Sequence, residues 1–452
     1  MSARMCPCVL PRTWRRFQRK RSLSRHRASD SENEGRALKR INDAVLRPGD
    51  IILTTSAAKV SKGIRFATGS DISHAMVCVE GYSVIDATAE GVQARNTQRL
   101  FYKDAHPVHI LRLRGGLSKP QLDDVLMFMR GHVGTQYSKT EAMRTKLKGT
   151  RPPTRKQFCS RLVAQAFSHA GIPLVSDANF CSPGDLKSSP FLVSVADSTV
   201  PVTAEEMAAS EARPDGTQIM RDAINAILNG ARKKNPNIQT FDDLDGHLIE
   251  HPEDDDYICR LVADSGYLVL WKIEQEKNPW IYDLDVMREG PADQISAYCQ
   301  SVVADEATPN RYIINRAGYR LFAHQHDHLY FKLMASLYDH LATLHNQRVR
   351  VAKAWLHENG YALPPESPPL TPHTPEWFAS LQQWDPPQAM MTRYVVEQEG
   401  SEAVCSVCGD EPAADYALEA DERPLGGPGT LRLCDDCLDI RRDGGESYIS
   451  IT

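Results

Sequence analysis

The hydrophobic period of this chain changes near residue 200, and a chain that changes period cannot be one uniform layer. From Leu46 to about Val195 the apolar residues fall in short β-branched runs between turn signals: Ile51-Ile52-Leu53, Ala75 to Val79, Ser83 to Ala87 and Val108 to Leu113. Helical stretches lie between them, so this part reads as an α+β domain with a small antiparallel sheet or barrel. From about 201 to 360 the spacing turns helical, as in Ile219, Ala223 and Ile227, then Leu329, Leu333, Leu337, Leu341 and Leu344. Within it, Tyr267-Leu268-Val269-Leu270-Trp271 reads as a strand. A third change comes at Leu363 to Pro387, where Pro364, Pro365, Pro368, Pro369, Pro372, Pro375, Pro386 and Pro387 predict an extended linker. The 452 residues suit about three such units. The expected organisation is a basic disordered tail (1–43), the α+β domain (44–200), a mainly helical region of unknown role (201–360), the proline-rich linker (361–390) and a small end domain (391–452).

The mix of 41% hydrophobic and 25% charged residues is that of a folded globular protein. A net charge of −5 offers no overall attraction to nucleic acid or to acidic membranes. No apolar run reaches the roughly 18 to 20 residues that cross a bilayer, which predicts no transmembrane segment. The first thirty residues carry nine Lys or Arg but no apolar stretch after them, so a secretory signal is not expected and a cytoplasmic location is. The eleven cysteines do not form a disulfide-like framework, and Cys78, Cys259 and Cys299 sit in apolar surroundings as small core residues.

Chemistry concentrates at two places in the α+β part. Gln157 to Phe167 has apolar residues at 162, 163, 166 and 167, an amphipathic helix ending at Gly171 with Cys159 at its N-terminus. Unpaired N–H groups and the helix dipole favour a thiolate there. His74 opens the apolar strand His74 to Val79, which places a polar ring at a sheet end. Asp86 closes the next strand, and a hairpin turning at Glu80-Gly81 sets 74 opposite 86. Ser118, with Pro120 behind it, caps a further helix whose face holds Leu122, Val125, Leu126 and Met129.

The order Gly49-Asp50-Ile51-Ile52-Leu53, Ser73-His74-Ala75-Met76-Val77, Val84-Ile85-Asp86-Ala87, Gly134-Thr135-Gln136-Tyr137 and Phe158-Cys159-Ser160-Arg161-Leu162-Val163 resembles the circularly permuted papain-like hydrolases of the NlpC superfamily. That group includes bacterial permuted amidases and the lecithin:retinol acyltransferase branch; Ser182-Pro183-Gly184-Asp185-Leu186 resembles a segment of the bacterial branch. In this family the histidine strand precedes the cysteine helix, as here. The resemblance implies Cys159 as nucleophile, His74 as general base and Asp86 as third polar member, with His106 and His109 open as alternatives for the third role. It also implies attack on an amide, ester or thioester carbonyl, a covalent acyl-enzyme and release to water or another acceptor. The Cys159 backbone N–H is the expected oxyanion donor. Substrates of relatives are peptide-like amides or acyl lipids, so a lipid acyltransferase or phospholipase of the same fold, and a catalytically inactive adaptor, remain rival readings. Lys139, Arg144, Lys146, Lys148, Arg151, Arg155 and Lys156 in the loop 139–156 offer contact to an anionic substrate.

Cys405-Ser406-Val407-Cys408 and Cys434-Asp435-Asp436-Cys437 resemble the two knuckles of a zinc ribbon, with four thiolates closing a tetrahedral shell around a structural Zn2+. Acidic neighbours of these pairs point to protein contact rather than nucleic-acid binding. His324 and His328 share a face if one helix carries both; they are expected at the surface. No phosphate-binding glycine loop is present.

Overall fold

The computed structural model describes residues 38–55, 71–138, 141–142, 154–306, 311–363, 369–419, 427–443 and 446–451. The basic tail up to residue 37 and most of the loop 139–156 lie outside them.

The first part is built on β2 (Ile51–Thr54), β3 (His74–Glu80), β4 (Ser83–Thr88), β5 (Gly91–Asn96), β7 (Val108–Leu113) and β8 (Leu192–Val195), ordered β5-β4-β3-β2-β7-β8 with each pair antiparallel. Its strands are apolar on both faces because both faces are covered. Leu53, Ala75, Val77 and Ile85 meet α1 (Lys119–Gly131) and α2 (Cys159–His169), while Ile52, Met76, Cys78 and Val84 meet a small sheet. That sheet joins β6 (Phe101–Lys103), β1 (Leu38–Ile41) and β9 (Thr199–Val202). Residues 38–43 therefore belong to the fold rather than to the tail, since β1 pairs on both sides and Ile41 is fully buried. Helix α1 starts as its sequence demands, with Ser118 and Gln121 capping each other and a proline in the first turn.

In the hairpin the partner of Asp86 is displaced by two residues from expectation. Met76, not His74, is the partner of Asp86, and an irregularity between Cys78 and Glu80 moves the turn to Gly81-Tyr82, where Tyr82 takes φ 61°. The extra residue is a bulge, invisible to a simple count from the turn. Because 74 and 76 share a face, His74 and Asp86 become diagonal neighbours on that face.

The helical region contains α4 (Ala204–Ala212), α5 (Gly216–Ala231), α6 (Phe241–Glu250), α7 (Asp255–Ser265), α8 (Trp271–Lys277), α9 (Leu284–Arg288), α10 (Ala292–Asp305), α11 (Arg311–Gln325) and α12 (Leu329–Glu358), following the short α3 (Pro183–Lys187). The expected strand at Tyr267–Trp271 is instead a 3-10 turn leading into α8. Gly266 at φ 78° ends α7, and Tyr267, Leu268 and Trp271 pack onto the helical core, so burial here is against helices and not within a sheet. The region is docked on the sheet: Gln93 donates to Asn225 (2.9 Å), and Arg232 donates to the carbonyl of Gly134 (2.7 Å).

The expected linker is corrected from Pro375 on, while Pro364, Pro365 and Pro368 lie outside the described residues. Pro375 and Pro386 stand in the first turns of α13 (Pro375–Trp384) and α14 (Pro386–Glu399), the one place where a helix loses nothing by a missing N–H. Trp377 and Leu381 then enter the core of the last module with Leu431, Leu433 and Leu438, beside β10 (Ala414–Leu418), β11 (Thr430–Leu433), β12 (Tyr448–Ser450) and α15 (Asp435–Asp443). Buried Glu446 accepts from Arg441 (2.9 Å) of that module and pairs with Arg316 (2.6 Å) and Arg320 (3.2 Å) of α11.

Gly91 locks β5 against the segment after α1. It has φ 94°, and a Cβ there would lie 2.7 Å from the carbonyl oxygen of Thr135. Gly91→Ala should lower stability by about 1–3 kcal/mol. Urea denaturation checks this; a variant as stable as the parent would show that the approach is loose.

Candidate active site

His74 begins β3 and Cys159 begins α2, so the end of a strand and the start of a helix meet. Nε2 of His74 lies 2.8 Å from Oδ2 of Asp86, whose side chain is 2% exposed. Cys159 is close enough to the same ring to contribute to its pKa. With Nε2 committed to Asp86, Nδ1 is the nitrogen left for the sulfur. Burial opposes a charge on His74, but the hydrogen bonds and charges of Asp86 and Cys159 outweigh it and raise its pKa to about 10. Burial likewise works against ionised Asp86, yet His74 and Arg95 hold it below the usual carboxylate range.

Arg95 is the residue that sequence reading missed. Its Nε stands 2.9 Å from each Asp86 oxygen, and Nη2 reaches Thr88 (2.8 Å) and Glu90 (3.1 Å). Only the β4–β5 register, Val84 opposite Arg95, brings it there. Tyr137 is a second such residue, quoted in a motif but given no role. Burial, then the charges of Cys159 and Asp86, push its pKa up, so its hydroxyl stays protonated beside the sulfur.

Two further motif residues prove to seat the cysteine helix. Arg161 is fully buried, donates to the carbonyls of Asn179 (2.7 Å) and Lys156 (2.9 Å), pairs with Glu141 (3.1 Å) and lies over the Phe158 ring. Ser160 donates to the carbonyl of Cys181 (2.8 Å). Phe158, the N-cap, makes no side-chain cap bond, which leaves the first N–H groups of α2 uncapped from that side. Ser182 and Asp185 of the later motif cap each other at the start of α3.

Residues 45–211 match the family described as permuted papain-like amidase enzyme, YaeF/YiiX, C92 family. This part of the chain is a permuted papain-like domain. Among curated proteins, "Probable lipoprotein peptidase YaeF" of Escherichia coli (strain K12) is 26% identical over 193 residues, covering 36% of this chain and 69% of that protein. The crystal structure of metalloprotein yiiX from Escherichia coli O157:H7 aligns at 19% identity, with 34% of this chain and 97% of that chain covered and a TM-score of 0.23.

Within the permuted papain-like domain the alternatives for the third polar role lie elsewhere. His109 sits on β7 across from Leu53, where burial and the charge of Lys187 lower its pKa; His106 follows β6 in a turn. Of the basic residues in the loop, Arg155 and Lys156 are described: Arg155 is ion-paired with Asp243 of α6, and Lys156 is exposed. His324 and His328 do not share a helix: α11 ends at Gln325, and His328, buried rather than exposed, precedes α12 and bonds the carbonyl of Leu248 at 3.1 Å.

In the last module the sulfurs of Cys405, Cys408, Cys434 and Cys437 all lie within 4.8 Å of one another, and Cys408 and Cys434 are 3.5 Å apart. Four thiolates at ~2.3 Å from one tetrahedral ion would stand ~3.8 Å apart, so the cluster suits a metal ion. Backbone N–H groups of Val407 and Asp410 donate to the Cys405 and Cys408 sulfurs at 3.5 Å, as a knuckle requires.

The raised pKa of His74 has a sign for stability. The folded protein holds a proton that the unfolded chain releases above its ordinary value of 6.5, so the contribution is complete below 6.5 and is lost as pH rises through about 10. Stability should fall between those limits by at most about 1.4 kcal/mol per pH unit, and His74→Gln should flatten that slope. Urea unfolding at several pH values measures it; equal slopes in parent and variant would refute the assignment of this proton.

Proposed function

We propose that the permuted papain-like domain is a cysteine amidase or peptidase that works through a covalent acyl-enzyme, with Cys159 as nucleophile, His74 as proton carrier and Asp86 as the group that orients it. The observation that carries this reading is the His74 ring held 2.8 Å from buried Asp86, with Cys159, at the start of α2, near enough to raise the ring's pKa. In the reactive pair His74 carries its proton on Nδ1 and Cys159 is the thiolate beside it. The thiolate then attacks the carbonyl carbon of an amide, and the C–S bond forms as the carbonyl electrons move to oxygen. The Cys159 backbone N–H and the Tyr137 hydroxyl serve the oxyanion. The imidazolium returns its proton to the departing amine as the C–N bond breaks. Water, deprotonated by His74, next cleaves the thioester and frees the thiol.

Asp86 keeps the ring in the tautomer that presents Nδ1, and Arg95 keeps Asp86 ionised while buried. An intact relay of this kind is difficult to reconcile with an inactive adaptor. An amide is favoured over a lipid ester because the family is described as amidase. The support for lipids came from the loop 139–156, whose described Arg155 is spent on Asp243. For the four-cysteine cluster we propose structural zinc, since four thiolates leave no open position for chemistry. The free state of the described cysteines supports a reducing compartment, for which the cytoplasm is our reading.

Cys159→Ser and His74→Ala should each lower turnover of a peptide-like amide by about 10³-fold or more; the serine variant should unfold within a few degrees of the parent, whereas the alanine variant, which leaves buried Asp86 to Arg95 alone, should unfold at a clearly lower temperature. Because His74 must carry a proton to the leaving group, activity should decline as pH rises through about 10 rather than near 6.5. A pH–rate profile with an alkaline limb near 6.5, or full activity in either variant, refutes the mechanism. For the metal, elemental analysis of the purified full chain should find zinc, and Cys405→Ser should reduce it and destabilise the last module with the rate of amide cleavage unchanged. Full zinc occupancy in that variant would overturn the ligand set.

A further inference from the structure

Residues 133–138 follow α1 as a turn and an extended stretch, and each backbone group of 134–136 has a partner of its own. Toward the sheet, Gly134 N–H donates to the carbonyl of Val92 (2.9 Å), and the Thr135 carbonyl accepts from Val92 N–H (2.9 Å). Toward α2, the stretch pairs in parallel with the residue that leads into the cysteine helix. Gln157 N–H donates to the carbonyl of Gln136 (2.9 Å), and Ser138 N–H donates to that of Gln157 (2.8 Å). Gln157 stands two positions before Cys159, and Tyr137 lies between the two bonds. The place of the tyrosine relative to the sulfur is therefore set by this short pairing.

Two groups of the stretch, the carbonyl of Gly134 and the N–H of Gln136, serve neither the sheet nor residue 157. The helical region takes both. Nη2 of Arg232, at the end of α5, donates to the Gly134 carbonyl (2.7 Å) and to that of Gln239 (3.0 Å), while its Nε donates to the carbonyl of Ile238 (2.8 Å). Oε1 of buried Gln239 accepts from Gln136 N–H (3.1 Å). The approach is close: Gly134 has φ 95°, and a Cβ there would collide with the Leu228 side chain of α5. Val133 packs into the cores of both regions. Arg232 and Gln239 lie beyond residues 45–211, the part that matches the amidase family.

We infer that Arg232 and Gln239 are positioning residues for the reaction at Cys159: they clamp residues 134–136 and so hold the Tyr137 hydroxyl at the oxyanion. The inference rests on the acyl-enzyme mechanism and on the oxyanion role of Tyr137. A contact that only docks the helical region would lower stability when lost, without selecting a chemical step. A positioning contact acts selectively, because Tyr137 serves the carbonyl oxygen and not the sulfur. Only a reaction that builds an oxyanion should suffer.

Two reagents separate these cases on the full chain, with peptide mass spectrometry following each at Cys159. With p-nitrophenyl acetate the thiolate attacks the carbonyl carbon, p-nitrophenolate leaves with the electron pair of the C–O bond, and the acetyl group stays on sulfur. With iodoacetamide the sulfur displaces iodide at a saturated carbon and no oxyanion forms. Arg232→Ala should slow acetylation about tenfold and Tyr137→Phe about 100-fold, with alkylation unchanged in both. The double variant should be no slower than Tyr137→Phe alone, since the clamp then has no hydroxyl to position. Gln239→Leu, which removes one acceptor, should slow acetylation several-fold and carries the test if Arg232→Ala is unfolded at the assay temperature. Parental acetylation in the clamp variants, equal loss with both reagents, or additive losses in the double variant overturns the inference alone. Unchanged acetylation in Tyr137→Phe, or none at Cys159 in the parent, overturns the underlying mechanism and this inference with it.

Discussion

An ionised carboxylate with almost no contact with water is costly unless its charge is answered on every side, and Asp86 is such a group. His74 answers it from one side and Arg95 from the other, each within 3 Å. Those two partners come from the strands flanking β4 in the sheet, so the charge can be buried only when β3, β4 and β5 are in register. The ring that results is held in place, and the start of α2 has to be brought to it. Arg161, threaded under that helix to Asn179, Lys156 and Glu141, supplies the second anchor. One buried and one half-buried guanidinium group thus set the position of a thiol and an imidazole that neither of them touches.

Much of this was legible in the residues. The alternation of apolar runs predicted the strands of the sheet, the Ser118 cap placed α1, and the 162/163/166/167 spacing placed α2 with Cys159 at its head. His74 was singled out because it opens a strand, as it does in β3; Asp86 was read as closing one, whereas β4 runs on to Thr88. What was not legible depended on register. The turn at Gly81-Tyr82 and the irregularity between Cys78 and Glu80 put Met76 rather than His74 opposite Asp86, and Arg95 acquires meaning only once β5 is laid beside β4. Prolines misled for a different reason: their frequency suggested an extended linker, whereas their position, at the first turns of α13 and α14, is what helices accept. His324 and His328 fell on opposite sides of a helix break that no spacing rule exposes.

The domain that matches the amidase family is not isolated from the rest of the chain. Its outer strand β5 receives Arg221 and Asn225 of α5, and the carbonyl of Gly134, three residues before Tyr137, is held by Arg232. The helical region therefore braces the same segment that carries a site residue. It also closes one side of a cleft behind α2, through Gln239 and Thr240. A role for this region that sequence periodicity alone could not suggest is to complete surfaces that the smaller domain leaves open.

Glu446 has a consequence for how the molecule comes apart. Three arginines converge on this one buried carboxylate, two of them from α11 and one from the last module, with the Tyr448 hydroxyl donating as well (2.7 Å). Pulling the two regions apart would break both ion pairs between Glu446 and α11 together, leaving Glu446 with Arg441 and Arg320 with Asp339. The helices and the cysteine-rich end are thus bound into one cooperative block, and the order of events on heating is set by that shared charge cluster rather than by the sequence boundary between them.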